Sequence, residues 1–161
     1  VNCAGITRDA QFHKMSKADW DAVINVNLNS VFNVTRHVIE GMMQREFGRI
    51  INISSVNAQK GQFGQTNYSA AKSGIYGFTK ALAQETVKRG ITVNAISPGY
   101  VGTDLVMSIR PEVREKILSQ IPMGRFAEPE EIAHLVSYLA SEHAAFVTGA
   151  NYAINGGQHM Y

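Results

Sequence analysis

The chain has 161 residues, enough for one domain with a single core. Its 45% hydrophobic content is that of an ordinary globular protein, and no apolar run approaches the ~20 residues that cross a bilayer. The net charge is +2, with Lys and Arg scattered among Asp and Glu, a pattern that argues against a nucleic-acid or membrane partner.

Cys3 is the only cysteine, so no internal disulfide is expected and a cytoplasmic protein is. The histidines at 13, 37, 134, 143 and 159 show no ligand spacing, and no metal is expected. Nothing resembles a signal peptide, and the opening Val1-Asn2-Cys3-Ala4-Gly5 lacks an initiator Met, so the natural start is expected upstream.

Val1 to Gly5 reads as the end of a strand entering a loop. Ser16 and Asp19 form a capping-box-like start. They predict a long helix from Lys17 to Arg45, with Trp20, Val23, Ile24, Val31, Val34, Val38 and Met42 as its apolar face. Gly48 ends that region. Ile50 to Ile53 is a short β-branched strand, and residues 54–66 read as loop, broken by Gly61 and Gly64. A second helix follows over Asn67 to Arg89, closed by Gly90. Ile91 to Ile96 is the next strand, stopped by Ser97-Pro98-Gly99. Helices are expected at Pro111 to Gln120 and from Pro129 to Ser141, the latter with Glu130 and Glu131 in its first turn. Gly149 to Ile154 is a last strand.

Alternating strands and helices predict a parallel sheet with right-handed crossovers, in one domain over residues 1–161. In such sheets ligands bind beyond the carboxyl ends of the strands. That edge would gather residues 2–7, 54–67 and 97–104. Tyr68 and Lys72 lie four apart on one helix face. A free phenol is a poor base, and a neighbouring ammonium lowers its pKa, making it a usable acid or base. The residues around the pair, Ser69, Ala70, Ala71, Ser73 and Gly74, are small, so a planar ligand or another helix can approach. Ser55 leaves a strand ahead of this helix, where it can bond the carbonyl that Tyr68 protonates. Alone, each of these features has an ordinary structural explanation.

Taken in order, Asn2-Cys3-Ala4-Gly5, Asn25-Val26-Asn27-Leu28, Ile53-Ser54-Ser55, Tyr68-Ser69-Ala70-Ala71-Lys72, Val93-Asn94, Ser97-Pro98-Gly99 and Asn155-Gly156-Gly157 resemble the short-chain dehydrogenase/reductase family along essentially the whole chain. The resemblance implies a Rossmann-like, doubly wound α/β fold. It also implies that Tyr68 exchanges a proton with a substrate carbonyl oxygen, that Ser55 orients that oxygen, and that Lys72 tunes Tyr68 and bonds a nicotinamide ribose. Asn27 would hold a water leading from Lys72 to solvent. Asn2, Ala4, Gly5, Pro98, Gly99, Val101 and Thr103 would border the cofactor together with Tyr68 and Lys72. Cys3 stands where the family has a second Asn, which puts one polar contact in doubt.

The loop from Ser55 to Tyr68, together with Gly5 to Asp9 and the ending Asn155 to Met160, is most similar to family members that reduce acetoacetyl-CoA to (R)-3-hydroxybutyryl-CoA with NADPH in polyhydroxybutyrate synthesis. By that similarity Asp9, Gln62, Phe63, Gly64, Gln65, Gly99, Tyr100 and Arg110 would border an acyl-CoA substrate. Reduction of a 3-oxoacyl group on an acyl-carrier protein is the alternative. The resemblance further implies a homotetramer built through the two long helices, whose Gly74, Gly77 and Ala81 permit close contact. A purely structural role for these helices is a third reading.

No Gly-rich phosphate-binding turn occurs, nor the strand whose end selects NADP or NAD. NADP is expected from the resemblance, with NAD possible. The fold expected here is therefore the C-terminal part of a Rossmann-like sheet, N-terminally truncated by about one mononucleotide-binding half. Such a piece could be inactive by itself.

Overall fold

The computed structural model describes residues 1–160; Tyr161, included in the expected domain, lies outside them. A parallel three-stranded sheet of order β1-β2-β3 forms its centre, made of β1 (Gly48–Ile53), β2 (Ile91–Pro98) and β3 (Asn151–Ile154). β1 pairs with β2 from Gly48↔Ile91 to Ile53↔Ile96, and β2 with β3 from Ala95↔Asn151 to Pro98↔Ile154. The expected first strand is present as one parallel bridge, Asn2 to Asn52.

β2 is buried along nearly its whole length, as befits a parallel strand covered on both faces. One face carries Ile50, Ile91 and Val93, packed on Ile39, Met42, Leu82 and Ala83. Beyond them Ala95 meets Val31 and Ile75. The other face carries Ile51 and Ile96, covered by Leu135, Val136 and Leu139.

The expected Lys17–Arg45 helix is a continuous rod in three parts. α1 (Lys17–Ile24) and α2 (Ser30–Arg45) flank a π-helical turn over Asn25–Asn29. Ser16 caps it by accepting from the Asp19 amide at 3.0 Å. Of the expected apolar face, Val23 and Val31 are buried, but Val34 and Val38 are 54% and 42% exposed. The inward row of α2 is Val31, Thr35, Ile39 and Met42, at three- and four-residue steps. Thr35 qualifies although it is polar because it bonds Asn2 there. Glu46, at φ 52, terminates α2, and Gly48 opens β1 rather than ending the helix.

Residues 54–66 are not all loop. α3 (Val56–Lys60) forms there, capped by Ser55, whose side chain accepts from the Asn57 amide at 3.1 Å. α4 (Thr66–Thr86) runs on into a 3-10 turn, Val87–Arg89, and ends at Gly90 as expected. α5 (Asp104–Met107), α6 (Pro111–Leu118) and α7 (Pro129–Ala140) follow β2. A carboxylate of Glu131 accepts from the Glu128 amide at the start of α7, at 2.8 Å.

Candidate active site

The loops after Asn2, β1 and β2 meet at the carboxyl edge of the sheet around a cleft of about 540 Å³. Its walls include Thr7, Asp9, Ser55, Asn57, Gln65, Tyr68, Gly99, Tyr100, Val101 and Thr103. Val56, Val106, Ile109 and Ile117 supply apolar lining.

α4 carries Tyr68 and Lys72 and also holds the segment bearing Ser55. Ser69 and Ser73 donate to the carbonyls of Asn57 and Ala58, both at 2.9 Å, which fastens α3 along α4. Ser54 donates to the Lys72 carbonyl at 2.8 Å. The small face around Lys72 thus admits a helix, and Gly74 admits Leu28, whose Cδ2 would lie 3.0 Å from a Cβ placed there.

The Ser55 hydroxyl lies beside the Tyr68 phenol. Burial pushes the Tyr68 phenol above its ordinary pKa; Ser55 is close enough to pull it down, and the Asp9 carboxylate nearby pushes it up. The expected lowering by Lys72 is not what this arrangement gives. The Lys72 ammonium donates instead to the Ile53 carbonyl at 2.8 Å and lies 5.8 Å from the Tyr68 ring centre. Burial pushes Lys72 itself down to about 8, because a low-dielectric setting disfavours the charged form.

Asn27 lies in the π-helical turn and is fully buried. Its amide donates to the carbonyls of Val23 at 2.8 Å and Ile6 at 2.9 Å. The side chain thus reaches back one turn and ties the π-helical turn to α1. Asn27 Oδ1 is buried without a hydrogen-bond partner. A Cβ on Gly5 would sit 2.8 Å from this oxygen and 3.5 Å from Lys72 Nζ, so Asn27, Lys72 and Gly5 converge on one small space.

Asn2 donates to Asn52 at 2.8 Å and to Thr35 at 3.2 Å, and Asn52 donates to Thr79 at 2.9 Å. A polar chain therefore links α2, the first loop, β1 and α4. Asn67, buried at the start of α4, donates to the Arg8 carbonyl at 3.0 Å and fixes the loop carrying Asp9. Ala4 and Gly5 are exposed. Gly99 donates to the Ile154 carbonyl, and a Cβ there would meet Asn155 Cα at 2.9 Å, so that turn requires glycine for close packing. Pro98 ends β2.

Of the expected substrate contacts, Asp9, Gln65, Gly99 and Tyr100 line the cleft. Gln62, Phe63, Gly64 and Arg110 lie outside its lining. Gln62 accepts from Lys60, Phe63 is 81% exposed, the Gly64 carbonyl accepts from Ala10, and Arg110 precedes α6 as its N-cap. Asn57, Asn67 and Tyr76 were not singled out from sequence. Tyr76, two helical turns beyond Tyr68, bonds the Ser55 carbonyl at 3.2 Å and the Ser97 hydroxyl at 2.9 Å. The serine-x-asparagine step after β1 was the available signal for Asn57, since it favours a side-chain-capped turn. Among the described residues, no group of three or more His, Cys, Asp or Glu is placed to hold a metal.

Fold and site together define a parallel α/β protein with a serine–tyrosine–lysine cluster at the carboxyl edge of its strands. A family model described as enoyl-(acyl carrier protein) reductase matches residues 1–159. The chain belongs to the short-chain dehydrogenase/reductase family. It is 62% identical over 161 residues to an acetoacetyl-CoA reductase of Allochromatium vinosum, covering 100% of this chain and 65% of that protein. It is 60% identical over 160 residues to one of Cupriavidus necator, covering 99% of this chain and 65% of that one. A 3-oxoacyl-[acyl-carrier-protein] reductase of Pseudomonas aeruginosa is 50% identical over 160 residues, with the same shares. The chain thus spans about 65% of the length of these relatives.

Proposed function

We propose that this chain carries the carbonyl-reducing centre of a nicotinamide-dependent reductase acting on 3-oxoacyl thioesters, with acetoacetyl-CoA as substrate and NADPH as cofactor. The observation that carries the reading is the pairing of Ser55 and Tyr68 on the wall of the cleft, with Lys72 behind it. Names at 62% and 60% identity favour the CoA thioester over the carrier-protein substrate, whose enzyme is 50% identical.

The residues present fit a nicotinamide. Exposed Ala4 and Gly5 leave room for a flat ring and its ribose beside Lys72, and Val101 and Thr103 border the same cleft. When bound, that group would supply the hydride. The remaining chemistry belongs to the protein. A substrate carbonyl oxygen set against Ser55 and Tyr68 receives hydrogen bonds from both hydroxyls. Tyr68, held as a neutral phenol by its raised pKa, gives that oxygen a proton as negative charge develops. Lys72, poised near neutrality, then returns a proton toward Tyr68. A water in the space bounded by Gly5, accepted by Asn27 Oδ1, would refill Lys72.

No described helix is long and apolar enough to cross a membrane, which suits a cytoplasmic enzyme. Exposed Phe32, Val34 and Val38 on α2, and the groove between α2 and α4 lined by Met43, Phe78 and Leu82, suit burial between subunits of a homotetramer.

The test is the initial rate of NADPH oxidation with acetoacetyl-CoA and with a carrier-borne acetoacetyl group. Faster turnover of the CoA thioester and its loss in Tyr68→Phe are expected. Activity that survives Tyr68→Phe refutes the assignment, and a tenfold preference for the carrier-borne group reverses the choice of substrate. The same assay decides whether 161 residues suffice for turnover.

A further inference from the structure

Asp9, Gln65 and Asn57 form a hydrogen-bonded line along the cleft wall. Gln65 Nε2 donates to Asp9 Oδ2 at 2.9 Å, and Asn57 Nδ2 donates to Gln65 Oε1 at 3.0 Å. The direction of this line is fixed at one end. An ionised carboxylate only accepts hydrogen bonds, so Gln65 must turn its NH₂ to Asp9 and its oxygen to Asn57. Asn57 must in turn offer its NH₂ to Gln65. The Asn57 amide also lies near the Tyr100 phenol, whose pKa it pulls down. The amide oxygen is left over: Asn57 Oδ1 is buried and accepts nothing, in a residue 8% exposed that lines the cleft.

An unpartnered buried acceptor is costly, and an N–H or O–H of a ligand entering the cleft relieves it. The acyl end of a 3-oxoacyl thioester has no such donor. The nearest is the amide N–H of the pantetheine arm, two carbons from sulfur, which coenzyme A and acyl-carrier proteins share. We infer that Asn57 is a specificity-determining residue whose Oδ1 accepts the first amide N–H of the substrate's pantetheine arm. Asp9 and Gln65 act through it as positioning residues. This rests on the 3-oxoacyl-thioester reading above.

The test uses two small thioesters of the same 3-oxobutyryl group. One has an N-acetylcysteamine arm, with the amide; the other has an ester oxygen in place of that N–H. The full chain is expected to show about tenfold higher kcat/KM for the amide, the factor that corresponds to 1.4 kcal/mol. Asn57→Leu should abolish this preference, mainly by raising KM for the amide substrate. Asp9→Asn, which lets Gln65 and then Asn57 reverse, should weaken it while Ser55 and Tyr68 remain in place. Acetoacetyl-CoA and its carrier-borne counterpart should lose kcat/KM by the same factor in Asn57→Leu. A loss confined to one of them refutes recognition of the shared arm. If the two small thioesters are used equally, or the preference persists in Asn57→Leu, this inference alone is refuted. If neither is turned over while acetoacetyl-CoA is, this inference alone is refuted; if acetoacetyl-CoA is not turned over either, the thioester reading of this chain is refuted and this one falls with it.

Discussion

Replacing Lys72 with Met should make the protein more stable at neutral pH while abolishing reductase chemistry. Lys72 is 3% exposed, and burial pushes its pKa from 10.5 down to about 8. The folded protein therefore binds this proton less tightly than the unfolded chain does. The resulting penalty is present in full below about pH 8, is relieved as the pH rises toward 10.5, and is gone above it. The difference corresponds to about 3 kcal/mol. Met keeps the length of the stem but gives up the charge-assisted bond to the Ile53 carbonyl, a loss of about 2 kcal/mol. The net gain at neutral pH is about 1 kcal/mol. It should reverse to a small deficit above pH 10.5, where the wild-type amine is neutral in both states. Urea unfolding followed by far-UV circular dichroism at the two pH values measures this directly. A Lys72→Met variant that is less stable than wild type at neutral pH, or a difference unchanged by pH, refutes the account of Lys72 as a buried, strained cation.

Three further outcomes are expected. Gly90→Ala places a Cβ 2.2 Å from the Glu46 carbonyl oxygen at φ +68, and should destabilise the fold by at least about 2 kcal/mol in the same unfolding assay. Asn27→Ala removes two bonds to backbone carbonyls; amide exchange in the first loop and in the π-helical turn should quicken, and unchanged protection there would show that this side chain does not hold the loop. Glu131, paired with Arg125 at 2.7 Å, is held down to about 2. Its contribution at the start of α7 should persist above the usual carboxylate range and disappear as the pH falls toward 2, and an NMR titration near 4.5 would contradict the pairing.

The strands and long helices were legible because their apolar periods and glycine stops act locally. Gly90 at the end of α4 and Pro129 at the start of α7 are such signals. The inward face of α2 was misjudged because hydrophobicity favours Val34 and Val38, whereas tertiary hydrogen bonding to Asn2 places Thr35 inside. α3 was hidden in a stretch rich in Gln, Asn and Gly; it is held by Ser69 and Ser73 on the next helix, contacts that its own short pattern does not encode. The same limit applies to the site. Tyr68, Lys72 and Ser55 were singled out through the motifs resembling a family rather than by spacing alone, and which glutamine faces the cleft depends on the turn at Gly64, at φ 80. That turn points Gln65 inward to Asp9 and leaves Gln62 outside.

The site is secured mainly through backbone carbonyls rather than through the side chains proposed to react. Tyr76 holds the Ser55 carbonyl, Ser54 holds that of Lys72, and Lys72 holds that of Ile53. α4 supplies Tyr68 and Lys72 and, through Ser69, Ser73 and Tyr76, also sets the distance to Ser55. A single rigid helix therefore fixes all three groups relative to one another. The loop carrying Asp9 is joined to that helix separately, through Asn67 and Gln65. Changes at Tyr68 or Ser55 should consequently alter chemistry with little effect on the fold, whereas changes at Asn67 should shift the first loop against an intact Ser55–Tyr68 pair. The two kinds of substitution separate the groups proposed to react from the wall proposed to select what they meet.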